Sequence, residues 1–230
     1  LRRCYDPAVR LSVVIPALNE AGAIAGAVRS AAAEGAEVIV VDGGSGDGTP
    51  ERAAGAGAIV LRSAPGRARQ LGAGAGLARG EGIVFLHADT RLPPAWSRAV
   101  AEVLADPRAA GGCFRLRFDA RSPALALVEW GARLRAALLG LPYGDQALFV
   151  RRSVLERIGG VPQAPFMEDL DLVRALRRHG RLVRLGLAVE TSARRYRERG
   201  TLRTLFRNAV ALCAWRLGLD RERVAAWYRR

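Results

Sequence analysis

Residues 37–49 read EVIVVDGGSGDGT, and this stretch decides the fold. Val38, Ile39, Val40 and Val41 form an unbroken apolar run, the pattern of a strand buried on both faces. The run ends on Asp42 and a glycine-rich turn, with Thr49 opening a helical segment beyond it. Outward from this unit the same order repeats. LSVVI (11–15) precedes a helical segment over 20–34, a helix over 49–57 leads to AIVLR (58–62), a helix over 66–79 leads to GIVFLHAD (82–89), and a helix over 94–106 follows. Apolar strands alternating with Ala-rich helices predict an α/β protein, a mostly parallel central sheet with helices on both faces. Ligands of such sheets bind beyond the C-terminal strand ends. Polar residues stand at those ends: Asn19 and Glu20, then Asp42, then His87 and Asp89.

The second half changes character. GGCFRLRF (111–118) alternates like a strand with one exposed face, 123–139 is helical, and YGDQALFVRR (143–152) brings a further strand. FMEDLDLVRALRRHG (166–180) reads as a helix with acids in its first turn and bases in its last. After the strand-like RLVRLGLAVE (181–190) and an Arg-rich segment, 201–229 form one or two helices, with an apolar stripe of Leu202, Leu205, Phe206, Ala209, Leu212 and Cys213. The expected organisation is one main domain over 1–200 and a helical tail over 201–230.

The net charge is +14, and all 36 basic residues are Arg. With abundant Ala and Gly this reflects codon bias in part, and the remainder suits anionic ligands such as diphosphates or lipid headgroups. The few aromatic residues are not interleaved with Arg, so no nucleic-acid partner is expected. Cys4, Cys113 and Cys213 are far apart and odd in number, which implies neither a disulfide framework nor a zinc site and fits a reducing cytosol. The apolar run near residue 11 is broken by Pro16, and no stretch approaches the roughly 20 apolar residues of a membrane span. A cytoplasmic protein is expected, soluble or peripheral at a membrane. The tail carries Arg203, Arg207, Arg216, Arg221, Arg223, Arg229 and Arg230 with Trp215, Trp227 and Tyr228, which suits peripheral membrane contact. The alternative is a stripe packed on the main domain or on a second copy in a homodimer.

Three motifs have both a chemical and a structural reading. The glycine loop 43–48 is no P-loop, because the chain has no Lys, and GAGAGL (72–77) lacks dinucleotide spacing. Asp42 either faces a ligand or, with Ser45, caps the helix at Thr49. If the strand through 83–87 persists, His87 and Asp89 share a face and can hold a divalent ion; otherwise Asp89 caps the helix near Pro93 and Pro94, and His87 is satisfied in the core. Glu168, Asp169 and Asp171 either complement the helix dipole or supply a general base.

The motifs SVVIPALNE, VIVVDGGSGDGT, GRARQLGAGAGLARGE, FLHADTRLPP, GDQALFVRR and FMEDLDL, in this order, resemble the family 2 glycosyltransferases with a GT-A type nucleotide-sugar-binding fold, over about residues 11–190. HADTRLPP, PYGDQALFVRR and TSARRYRERG are similar to a bacterial subgroup found beside radical-SAM and selenoprotein-type genes and labelled arsenosugar-biosynthesis glycosyltransferase. The resemblance implies inverting, hexosyltransferase-type transfer from a nucleoside diphosphate sugar, with UDP favoured, to an unknown acceptor. It implies donor binding by Pro16, Asn19, Glu20, Asp42, Gly43, Arg69, Asp89, Arg194 and Arg195. It further implies Asp169 as base with Glu168 beside it, an acceptor side at Gly144, Asp145 and Gln146, and Mn or Mg held by Asp89 and His87. His87 stands where the family usually has Asp, and Gly72 where relatives often carry Asn. A sugar-phosphate nucleotidyltransferase would want a basic loop after the first strand, which PALNEAGAI lacks; a catalytically silent sugar-nucleotide-binding protein is the other alternative.

Overall fold

The structure is a computed structural model and describes residues 9–229; Cys4 and Arg230, named above, lie outside the described residues. Strands β1 (Leu11–Ala17), β2 (Glu37–Asp42), β3 (Ile59–Arg62) and β4 (Gly82–Phe85) pair in parallel, linked by α1 (Ile24–Ala32), α2 (Thr49–Gly55) and α3 (Arg67–Leu77). The chain continues through β5 (Thr90–Arg91), α4 (Trp96–Leu104), β6 (Ala109–Phe118), α5 (Pro123–Leu138), a 3₁₀ turn (Gly144–Gln146), β7 (Phe149–Arg151) and α6 (Arg152–Arg157). It ends with α7 (Glu168–Arg177), β8 (Arg181–Thr191), α8 (Arg194–Arg199), α9 (Thr201–Arg216) and α10 (Arg221–Arg229). All eight strands form one sheet in the order β3-β2-β1-β4-β7-β6-β8-β5. β7 runs antiparallel to both its neighbours, β6 and β8 are parallel, and β5 is antiparallel to β8.

The apolar runs are buried on both faces, as their pattern predicts. Val13 and Ile15 pack with Ile24 and Val28 of α1 and with Trp96 and Val100 of α4. Val14, Ile39, Val41 and Phe85 pack on the other face with Leu71 of α3 and with Leu172 and Leu176 of α7. Burying a Val, Leu or Ile side chain stabilises by about 1.5–3 kcal/mol, so this two-sided core carries the fold.

The sheet cannot be flat. β5 lies four positions beyond β4 in the sheet order, a separation of about 19 Å at the usual strand spacing. The link from Phe85 to Thr90 is five residue steps, about 17–18 Å when fully extended. It also contains a turn, with Thr90 N–H donating to the His87 carbonyl at 3.1 Å. Only a sheet curled back on itself lets β5 reach β8.

Several expectations are corrected here. The strand predicted over 82–89 stops at Phe85: β7 pairs with β4 only as far as Val84, and the chain then turns away. The strand periodicity that would put His87 and Asp89 on one face therefore does not apply. The helix predicted from residue 20 begins at Ile24: Asn19 has φ of 55°, residues 20–23 form a turn in which Ala23 N–H donates to the Glu20 carbonyl, and Ser45, Thr49 and Asp47 side chains accept from the N–H groups of Asn19, Glu20 and Ala21. β6 is buried on both faces over its first six residues, with Arg115 and Arg117 alone turned outward. The stripe on α9 does not form one packed face: Leu205 and Leu212 pack inward, whereas Leu202, Phe206, Ala209 and Cys213 are exposed. The fully buried positions are the smaller Thr204, Ala211 and Ala214. Among the described residues, no helix is long and apolar enough to cross a membrane.

Two glycines in β6 admit no side chain. A Cβ at Gly111 would stand 2.1 Å from the Phe149 carbonyl oxygen, and one at Gly112 would stand 2.1 Å from that of Val183. Gly112→Ala is therefore expected to destabilise by about 3 kcal/mol or more, at or above the usual range for overpacking. Gly186→Ala on β8 meets no atom within 4 Å and should stay within about 1 kcal/mol of wild type. Urea unfolding of the two variants checks this; equal midpoints would show that β6 moves freely enough to absorb the methyl group.

Candidate active site

A cleft of about 750 Å³ opens where the ends of β1, β4 and β8 meet. The link between β4 and β5 forms its floor. Thr90 pairs with Thr191, and their buried hydroxyls bond at 2.8 Å. Ser192 N–H donates to the Asp89 carbonyl at 3.2 Å. Asp89 is thereby held against the segment that leads into Arg194 and Arg195.

The structural readings of His87 and Asp89 do not hold. At the start of α4 the N–H groups of Ala95 and Ser97 go to the Glu34 carboxylate, not to Asp89. Asp89 instead lines the cleft. His87 lines it too, and its Nε2 is buried without a hydrogen-bond partner among the described residues. Burial first, then the positive charges of Arg67 and Arg195, hold the imidazole well below its ordinary pKa, so it stays neutral.

The first turn of α7 divides its acids among three tasks. Met167 enters the helix with φ of 58°, a left-handed conformation uncommon for a side-chain-bearing residue. Glu168 is buried and pairs with Arg67, Oε1 to Nε at 2.7 Å. Burial raises its pKa, opposed by the Arg67 charge. Asp169 accepts from Gly144 N–H at 2.6 Å through Oδ2 and from its neighbour Leu170 N–H at 2.9 Å through Oδ1. Asp171 does not line the cleft and accepts from Trp215 Nε1 and from Nη1 and Nη2 of Arg221.

Gly144 marks the point of convergence. A Cβ there would stand 2.6 Å from an Arg67 guanidinium nitrogen, 3.3 Å from Asp169 Oδ2 and 3.4 Å from His87 Nε2. A guanidinium, a carboxylate and an unpartnered imidazole thus meet around one backbone position, where a side chain would displace the Arg67 guanidinium. Asp145, beside it, is half-buried in the same cleft, its Oδ1 buried without a hydrogen-bond partner among the described residues, and desolvation raises its pKa.

The remaining sequence-predicted residues are divided. Pro16, Glu20, Arg69 and Arg195 line the cleft. Arg194 stands at the rim, bound to both Glu20 oxygens at 2.7 and 2.8 Å. Asn19, Asp42 and Gly43 lie at the ends of β1 and β2 but do not line it. Asp42 is 1% exposed and accepts from Gly44 and Ser45 N–H groups, so it ties the glycine turn; the N–H of Thr49 at the start of α2 goes to Asp47, which corrects the capping reading. Gln146 is turned inward, donating to the Phe114 carbonyl, because its amide closes the 3₁₀ turn on Tyr143. A Cβ at Gly72 would meet the Gln163 amide, not open cleft.

Residues that the sequence reading missed complete the picture. Arg67 holds Glu168, and Gln70 bridges the carbonyls of Ala17 and Val41 at the ends of β1 and β2. From the C-terminal helices, Asn208 and Tyr228 line the cleft, joined by a hydroxyl–amide bond, and the Tyr228 ring sits 4.7 Å from that of Phe166.

Among the described residues no three His, Cys, Asp or Glu side chains cluster as a closed metal site. His87 and Asp89 are a nitrogen and an oxygen ligand, the partial set that suits a divalent ion completing its shell with phosphate and water oxygens. The neutral, unpartnered His87 Nε2 fits that requirement.

No curated protein matches the chain in sequence. Among solved structures it is similar to a mycobacterial protein at 26% identity and a TM-score of 0.58, over 80% of this chain and 65% of that one. It is also similar to glucosyl-3-phosphoglycerate synthase from Mycobacterium tuberculosis in complex with Mn2+, uridine diphosphate and glucosyl-3-phosphoglycerate, at 23% identity and a TM-score of 0.65, over 93% of this chain and 81% of that one. The same enzyme with Mg2+ and uridine diphosphate matches at 22% identity and a TM-score of 0.65, over 93% and 81%. At these last two identities the likeness concerns the fold, an α/β GT-A arrangement. Residues 12–157 match the model of glycosyl transferase family 2, well over half of the chain, and the chain belongs to that family.

Proposed function

We propose that the chain is an inverting glycosyltransferase that moves a sugar from a nucleoside diphosphate sugar, UDP-linked by preference, to an acceptor hydroxyl. The observation that carries this reading is the convergence of His87, Arg67 and Asp169 on Gly144 within a cleft that Asp89 also lines. The preference for UDP is supported by the complexes of the mycobacterial synthase with UDP and UDP-glucose. Within the family, the likeness of HADTRLPP, PYGDQALFVRR and TSARRYRERG supports the subgroup labelled arsenosugar biosynthesis.

In this mechanism the nucleoside rests by Pro16 and Glu20, over the turn that Asn19, Asp42 and Gly43 brace. Arg69 and Arg195 face the diphosphate, where guanidinium groups bind oxygens in pairs; Arg194 joins them once its bridge to Glu20 opens. His87 and Asp89 are the residues that would hold Mn or Mg, which supplies charge neutralisation for the departing diphosphate. Asp169 accepts the acceptor's proton while the acceptor oxygen bonds to the anomeric carbon on the face opposite the breaking C1–O bond. Its two backbone hydrogen bonds fix the carboxylate's orientation and leave a lone pair for that proton. Glu168 keeps Arg67 in place. Asp145, with Asn208 and Tyr228, borders the acceptor.

Asp169→Asn should lower transfer by about 10²–10⁴-fold and leave UDP affinity within a few-fold, read by product formation and by titration calorimetry. Near-normal transfer removes Asp169 from the mechanism. Asp89→Ala should abolish the extra thermal stabilisation that Mn adds to UDP binding, and His87→Ala should reduce it in part, since the carboxylate is the stronger hard-ion ligand. If wild type binds UDP equally well in chelator, the ion bridge is wrong and the arginines alone carry the diphosphate.

Arg67→Gln leaves Glu168 buried without its cation. The expected loss at pH 8 is about 2–3 kcal/mol, under the 3–5 typical of fully buried pairs because the Arg67 side chain is 32% exposed. Burial raises the folded-state pKa of Glu168, so the penalty is present above that pKa and is relieved as pH falls through it. The stability gap between variant and wild type should therefore narrow from pH 8 to pH 5 in urea unfolding. A gap independent of pH assigns the loss to something other than Glu168.

A further inference from the structure

Among the described residues, six of the exposed large apolar side chains lie on two neighbouring helices, whereas others such as Leu18, Ile59 and Leu77 are scattered. On α5, Leu127 (57% exposed), Trp130 (55%), Leu134 and Leu138 recur at helical spacing on the outward side, opposite the buried Leu125, Val128 and Ala132. On α9, Leu202 (82%), Phe206 (65%), Ala209 and Cys213 do the same. The inner sides of both helices share one core, since Leu205 of α9 packs on the cluster formed by Leu125, Val128 and Ala132. Such stripes are costly to leave in water, and paired ones mark an interaction surface.

The charges beside these stripes favour one occupant. α9 contains Arg203, Arg207 and Arg216 and no acid. The single acid of α5, Glu129, is spent on the Phe118 N–H at 2.8 Å. Along the other flank of α5 runs a groove of about 760 Å³, whose charged lining is Glu129 and, against it, five arginines, among them Arg133 of α5, Arg115 of β6 and Arg184 of β8. Among the described residues none of these three has a carboxylate partner. Guanidinium groups bordering Leu, Phe and Trp side chains match a bilayer boundary, where apolar groups enter the acyl region and arginines meet headgroup phosphates. A second copy fits poorly, because each chain carries a net charge of +14 and the arginines would face one another.

We propose that the outward faces of α5 and α9, with the Arg115–Arg133–Arg184 groove at their edge, form a docking surface for an anionic membrane. The surface lies on the bilayer and does not cross it. Tyr228, which lines the cleft, is carried on α10, and Arg207 of α9 donates to its carbonyl, so the docking face is physically linked to the acceptor side of the cleft.

The test uses the full chain and does not depend on transfer activity. In flotation with vesicles of phosphatidylglycerol and phosphatidylcholine, the protein should float with the anionic mixture, at least tenfold less with pure phosphatidylcholine, and markedly less at 0.5 M salt. Phe206→Glu with Leu202→Glu, and separately Trp130→Glu, should abolish flotation while circular dichroism, thermal unfolding and UDP binding stay unchanged. Arg115→Gln with Arg133→Gln and Arg184→Gln should weaken flotation and flatten its salt dependence without touching the apolar stripes. No flotation on anionic vesicles, or flotation that survives either of the two apolar-stripe substitutions or is left unchanged by the arginine substitutions, overturns the proposal. So does sedimentation of the wild type as a dimer that Phe206→Glu with Leu202→Glu converts to monomer, since the face is then occupied by a second copy.

Discussion

Five residue steps, from Phe85 to Thr90, carry the chain from the middle of an eight-stranded sheet to its last strand, and that short tether sets the curvature around which the cleft is built. It forces the sheet to curl. Curling brings the end of β8 beside the adjacent ends of β1 and β4, from which it would stand three or more positions away in a flat sheet. The Thr90–Thr191 hydroxyl bond closes the curl from inside, in a buried place where an unmade bond would leave two hydroxyls desolvated. His87 and Asp89 sit on the tether itself. Their position in the cleft follows from the reach of the chain more than from strand periodicity.

The sequence made the first half of the fold legible because its strands are uniformly apolar and its helices Ala-rich, so the period changes plainly at each boundary. Boundaries failed where side chains far away captured backbone groups. Nothing local to residues 20–23 shows that Asp47 and Thr49 bind the turn ahead of α1, and nothing near Pro93 points to Glu34 as the cap of α4. The tail misled for a different reason. A stripe of Leu and Phe normally faces a core, but on α9 only Leu205 and Leu212 pack inward, beside Thr204, Ala211 and Ala214, while Leu202 and Phe206 turn outward.

The candidate site was legible in its acids, while Gly144, Arg69 and Arg195 entered only through the family resemblance and Arg67 not at all. Asp89, Glu168 and Asp169 stand out because carboxylates at strand ends and helix starts are few. Arg67 is one of 36 arginines, and no spacing rule singles it out. Gly144 looks like any turn residue until the side chains around it are in place. Asp42 shows the reverse case, a residue conspicuous in sequence whose oxygens, once the chain is folded, serve the glycine turn that succeeds it.

The tie between Asp171 and the pair Trp215 and Arg221 joins the helix that bears Asp169 to the last two helices of the chain. Any load placed on the C-terminal end is therefore transmitted to the cleft. An affinity tag, a fluorescent fusion or a surface linkage attached there sits a few residues from Tyr228 and pulls on the hydrogen bonds that orient α7. Kinetic work on this chain is better served by handles placed on the exposed turns between α2 and β3, on a part of the sheet remote from both.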